Sequence, residues 1–253
     1  MGTLTTEAVI LRARDFGEAD RLLTMFTLVE GKITAKVRGA RKPRSRLAGA
    51  TLPLSHVEVM LWQGRSNIAL LTQAVARDSY SPLRDDLHRL ALASLAAELV
   101  DLMSEERIAS PETFVALLET MAMISYGEAP QLATYAFALR LLRTAGLAAP
   151  VGACAGCGRT VATADGWTWA SDQAVLLCAE CAGTGGFPVL PVRLDTLAAL
   201  RQLTDGTTRS VAALRVDAAV ARQLRAIVWD SLTAHLDRRP RSLDFLDSLP
   251  PGR

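Results

Sequence analysis

The stretch Gly31–Arg46, GKITAKVRGARKPRSR, decides how the first third of the chain folds. Its first half alternates without exception, with Lys32, Thr34, Lys36 and Arg38 on one parity and Ile33, Ala35 and Val37 on the other. A period of two marks a β-strand with one face in a core and one in water. Here the wet face is cationic. Seven basic residues (Lys32, Lys36, Arg38, Arg41, Lys42, Arg44 and Arg46) fall in this stretch with no acidic one, and they include all three lysines of the chain. Same-face side chains on a strand stand about 6.5 to 7 Å apart, near the phosphate spacing of an extended single strand, so each cation of the row can meet one phosphate. Beyond Arg38, Gly39, Pro43, Ser45 and Gly49 mark a flexible loop that carries the other four cations. Nucleic-acid contact is the expectation, and a solvated charged surface is its plain alternative.

Working outward, Leu22–Leu28 precedes this strand across a tight hairpin at Val29-Glu30-Gly31, and Leu4–Arg12 precedes that. His56–Trp62 and Ile68–Val75 follow, joined through Gln63-Gly64-Arg65-Ser66. Five short strands whose third connection, Gly39–Ser55, is long fit the partly open OB-fold barrel, although a small sandwich suits the count nearly as well.

The texture changes at Ser81-Pro82, where serine as N-cap and proline at N1 open a helix running through Leu83, Leu87, Leu90, Leu95, Leu99 and Leu102. Ser110-Pro111 repeats the device, and Pro130 begins a third helix that Gly146 stops. These three are expected to pack as a bundle, to which helices over Leu194–Leu203 and from Asp217 to about Leu236 return. The predicted class is α+β: residues 1–80 an OB-fold nucleic-acid-binding domain, and 81–253 a helical domain (81–149 and 190–246) with an inserted zinc-binding unit at 150–187.

The 253 residues, half of them apolar, suffice for two modest cores. The net charge of +2 divides unevenly, since residues 1–80 hold twelve Lys/Arg against seven Asp/Glu, and an anionic partner on that domain is implied. There is no membrane-length apolar run and no signal-peptide layout, so a cytoplasmic protein is expected. The loose myristoylation match at Met1-Gly2 to Thr6 lacks a second, basic anchor and reads better as the lead-in to a strand.

Cys154-Ala-Gly-Cys157 and Cys178-Ala-Glu-Cys181 form C-x2-C-x20-C-x2-C. Two such knuckles close a tetrahedron of sulfurs about 2.3 Å from one zinc ion, leaving no open position for catalysis. Trp167-Thr-Trp169 and Val175–Leu177 read as a hairpin between the pairs. Redox-active dithiols are the competing reading. His56-Val57-Glu58 matches half of a zinc deaminase signature, but alanine stands before Cys154 where that signature has proline, and one CxxC pair would be left without purpose. No P-loop, GxSxG or dinucleotide turn is present, so no enzyme is expected. Glu18 and Asp20 are expected to pair with Arg12, Arg14 or Arg21. The barrel segment offers few aromatics for base stacking, namely Phe16, Phe26, Trp62 and Tyr80, with Phe26 assigned to the core, so binding is read as mainly ionic.

Phe16-Gly17-Glu18-x-Asp20-Arg21, Phe26-Thr27, Gly31-Lys32, Arg38-Gly39-Ala40-Arg41-Lys42 and Ser45-Arg46-Leu47 resemble the N-terminal signature of the bacterial recombination mediator RecO family. Ala97-Glu98-Leu99-Val100-Asp101, the four-cysteine insertion and Ser242-Leu243-Asp244-Phe245-Leu246 follow in the same order, so the similarity spans nearly the whole chain. The resemblance implies binding of single- and double-stranded DNA, annealing of complementary strands, and loading of the RecA recombinase onto DNA coated with single-strand-binding protein. It further implies partnership with the recombination protein RecR and with the acidic, hydrophobic tail of the single-strand-binding protein. Arg140 and Arg143 are candidate borders of a leucine-lined groove for that tail. A zinc-ribbon scaffold that binds only protein stands as the alternative class.

Overall fold

The computed structural model describes residues 2–42, 45–161, 166–183 and 188–250, apart from the side chain of residue 46. The first strands are β1 (Gly2–Phe16), β2 (Asp20–Thr27) and β3 (Gly31–Val37). A short helix α1 (Arg46–Ala50) then precedes β4 (His56–Gln63) and β5 (Ala69–Asp78). They close a barrel in the order β1-β2-β3-β5-β4, with β4 returning to β1 and one parallel pairing, of β3 with β5. This is the OB-fold rather than a sandwich.

The alternation in β3 explains why the barrel holds its register. Ile33, Ala35 and Val37 join Ala8, Ile10, Leu23, Met25, Val57, Val59, Leu61 and Leu71 in the core, while Lys32 and Lys36 stay outside. A slip of one residue would drive both ammonium groups inward. Gly31, at φ +63°, is required twice over. Its backbone is left-handed, and a Cβ would lie 1.9 Å from the carbonyl oxygen of Ile108.

Two compact units divide the chain, 1–130 with 240–253 and 131–239. In the first, the barrel is joined by α2 (Leu87–Met103), α3 (Pro111–Tyr126) and α9 (Arg241–Ser248). The second holds nearly all of α4 (Pro130–Thr144), then β6 (Trp167–Ala170), β7 (Val175–Cys178), α5 (Ala179–Gly183) and β8 (Val189–Val192). It ends with α6 (Leu194–Asp205), α7 (Thr208–Ala213) and α8 (Ala218–Thr233). The three consecutive helices fall in different units, α2 and α3 with the barrel and nearly all of α4 in the other, and within its own unit α2 packs against α3, α9, β1 and β2.

Helix starts show which capping signals win. Ser110 caps α3 as expected, its hydroxyl accepting from the Thr113 N–H at 3.4 Å. Ser81-Pro82 instead forms one 3-10 turn (Ser81–Arg84) after a left-handed Tyr80, and α2 begins only at Leu87. There the Asp86 carboxylate accepts from the N–H groups of His88 and Arg89 at 2.8 and 3.1 Å. A charged acceptor holding two orphan donors outranks a serine that caps none. Gly146, at φ +73°, closes α4 as read, with the Leu147 N–H reaching the Leu142 carbonyl at 2.8 Å.

Candidate nucleic-acid interface and metal centre

The cationic ribbon is a row of separate local environments. Lys32, with a side chain only 14% exposed, points at α2. Its ammonium bonds the Asp101 carbonyl and lies 3.7 Å from that residue's carboxylate, which Arg12 also holds at 2.9 Å. Lys32 thus docks the barrel on α2. Lys36 lies 2.9 Å from Asp20 and 4.9 Å over the Phe16 ring. Arg41 lies 3.3 Å from Asp15 and donates to the carbonyls of Gly17 and Glu18. Arg38 and Lys42 are exposed, and neither closes an ion pair among the described residues. Arg44 lies outside the described residues, as does the side chain of Arg46.

The expected partners of Asp20 are replaced. It binds Lys36 and the Gly39 N–H, and these two, in that order, hold its carboxyl below the usual 3.8, whereas Arg21 goes to Asp15 at 3.2 Å and Arg12 to Asp101. The β2–β3 register, Thr27 opposite Gly31, carries the start of β2 to the Lys36–Arg38 end of β3, a signal the hairpin length contained. Nothing local announces Asp101. Of the aromatics, Phe26 is in the core as read, Tyr80 is buried too, and Phe16 and Trp62 remain exposed at 46% and 45%. His56 and Glu58 hold neighbours on the barrel, Glu7 at 2.8 Å and Arg77. Arg140 and Arg143 reach the C-terminal end of α6, at the Gly206 carbonyl and the Asp205 carboxylate, so part of their hydrogen bonding is already engaged there.

The four cysteine sulfurs lie within 4.8 Å of one another, and Cys157 and Cys178 are 3.8 Å apart. A tetrahedron with bonds of about 2.3 Å has edges of about 3.8 Å, so this donor set fits a zinc-sized ion. The first knuckle turns at Gly158, φ +74°, whose N–H reaches the Cys154 carbonyl at 2.9 Å. A Cβ at Gly156 would stand 3.0 Å from the Cys181 sulfur. Burial opposes ionisation of Cys154, but the N–H groups of Cys178, Cys157 and Gly156 outweigh it and bring the thiol down to about 6. Hydrogen bonds with Cys178, Cys157 and Cys154 push Cys181 up to about 12. The second knuckle follows from β7, which pairs with β6 as the expected hairpin, and β8 adds a third strand on the other side of β6. Trp169 pins this sheet to α8 through Asp230 at 3.0 Å.

Residues 1–80 match the family described as Recombination protein O N terminal, and residues 84–244 match Recombination protein O C terminal. The DNA repair protein RecO of Symbiobacterium thermophilum is 33% identical over the full length of both chains. That of Roseiflexus sp. is 36% identical over 96% of this chain and 85% of its own, and that of Anaeromyxobacter sp. (strain K) 35% over 99% and 98%. An OB barrel bearing a cationic strand end, a converged four-cysteine cluster and family matches over nearly every residue lead to one conclusion: this chain belongs to the RecO family, with a role in DNA repair and recombination.

Proposed function

We propose that this chain is a recombination mediator that binds single- and double-stranded DNA by ionic backbone contacts, anneals complementary strands, and helps load a recombinase onto DNA coated with single-strand-binding protein. The observation that carries the reading is the open end of β3, where exposed Arg38, Arg41 and Lys42 adjoin Lys36 on the barrel of a RecO-family chain. The contact set is Lys36, Arg38, Arg41 and Lys42, with Arg44 and Arg46 continuing it, and Lys32 serves to orient the strand. Neutralising two phosphate chains at once lowers their repulsion so that bases can pair, and no covalent step is needed. Four contacts at about 0.7 each give a slope of log affinity against log salt near −2.8 for single strands, and six give about −4. The partners in this reading are RecR, the tail of the single-strand-binding protein and, through loading, RecA, and the setting is the cytoplasm. No helix among the described residues is long and apolar enough to cross a membrane.

Cys154, Cys157, Cys178 and Cys181 would hold one zinc ion, which cross-links the two knuckles and has no vacant coordination position for a substrate. The deciding experiment is annealing of two complementary oligonucleotides precoated with single-strand-binding protein, with and without the chain. Acceleration is expected. Absence of both annealing and any oligonucleotide shift at low and moderate salt would leave the protein-only scaffold standing.

A further inference from the structure

Trp167, Trp169 and Trp229 are buried, at 2%, 0% and 8% exposure, whereas Trp62 is left 45% exposed. Its position gives the exposure a use. Trp62 on β4 stands opposite Leu70 on β5, and Leu70 stands opposite Lys36 on β3. Residues paired in register project to the same side of a sheet, and the flanking Leu61, Ala69, Leu71, Ala35 and Val37 fill the core, so these three point outward. Cation, aliphatic chain and indole thus make one row across three strands on the outside of the barrel. With strands about 4.8 Å apart, the Lys36 and Trp62 backbones are about 10 Å apart. The Lys36 ammonium lies over Phe16 beside Asp20, and the indole rests against the hairpin at Gly64, where a Cβ would come within 2.8 Å of its carbons Cζ3 and Cη2.

The geometry points to a single-strand site on this row, in which Trp62 stacks on an unpaired base, Leu70 packs against the sugar and Lys36 takes the phosphate. It rests on the DNA-binding reading above and adds to it a non-ionic contact and a strand preference. Every base offers a π-face, so stacking is indifferent to sequence, whereas bases inside a duplex are already stacked and offer only their phosphates.

The test uses the full chain with a short labelled oligothymidylate and a duplex of equal length, read by anisotropy across a salt series. Base stacking on an aromatic corresponds to a loss of about fivefold or more on truncation to alanine. Trp62→Ala should therefore weaken single-strand binding at least about fivefold with an unchanged salt slope, and leave duplex binding as it was. Trp62→Phe should stay within about twofold of the wild type, and Lys36→Ala should flatten the slope by about 0.7. Because the other three indoles are buried, single strands should quench part of the native tryptophan emission, and that part should be missing in Trp62→Phe. Equal single-strand binding by wild type and Trp62→Ala, or equal losses for single strand and duplex, would overturn the inference while the DNA reading survives. Failure of the wild type to bind either form would remove the DNA reading and this inference with it.

Discussion

The cysteine cluster and the cationic ribbon are both runs of like residues in the sequence, yet the fold treats them oppositely. Each CxxC brings its two sulfurs together through local backbone geometry, and the two pairs then converge to within 4.8 Å. The ribbon is dispersed. Lys32 is committed to Asp101, Lys36 to Asp20 and Arg41 to Asp15, while Arg38 and Lys42 stay exposed. A ligand set works only when all its members meet at one point, so spacing is a strong guide to it. A charge acts wherever an opposite charge comes within reach, and the chain's own carboxylates compete with any phosphate.

The largest effect should come from breaking the cluster. If the cluster holds zinc as proposed, Cys154→Ser or Cys178→Ser should abolish its retention and open the two knuckles to protease, since structural zinc contributes on the order of 10 kcal/mol or more at neutral pH. Metal analysis and limited proteolysis read this out, and DNA affinity is expected to hold. A parallel loss of DNA binding would mean that the barrel's function depends on the metal centre. Next, replacing Lys36, Arg38, Arg41 and Lys42 together by alanine should weaken every DNA sequence alike and flatten the salt slope by about 2.8. Loss confined to one sequence would mean base reading instead.

Asp101→Ala should expose the difference within the ribbon itself. It removes the carboxylate shared by the exposed Arg12 and the largely buried Lys32, which keeps the backbone carbonyl of residue 101, costing about 1 kcal/mol in denaturant unfolding while leaving the salt slope intact. If the slope steepens instead, Lys32 belongs with the phosphate contacts. The smallest effect is expected from Asp20→Asn, which removes the charge beside Lys36 yet keeps an oxygen for the Gly39 N–H. DNA affinity should rise by up to about fivefold, the range set by an exposed ion pair. Acid is no substitute for this substitution. A carboxyl held below 3.8 keeps its charge across the neutral range and gains a proton only where other carboxylates do so too.

Much of the barrel was legible because its signals are local. The alternation of Ile33, Ala35 and Val37 announces β3, and the short turn before Gly31 announces the hairpin. The short helix α1 inside Gly39–Ser55, the added strand β8 and the helix α7 carry no comparable pattern. Five or six residues are too few to show a helical period. The start of α2 lies five residues beyond the Ser81 signal because a second capping signal, Asp86, carries the charged acceptor and prevails. Of the site, the cysteines were readable in full and the cations by identity alone. Asp101 lies 69 residues from Lys32, a separation at which only packing sets proximity.

The sequence by itself determined the strand and helix periods, the converging pair of CxxC knuckles and the family, because each rests on residues close together in the chain or on motifs in a fixed order. The tertiary structure alone decided which cations remain open to an anionic partner, which helices share a unit with the barrel, and that Trp62 stands in line with Lys36. These depend on distances across space, and packing the core determines them only when the chain has folded.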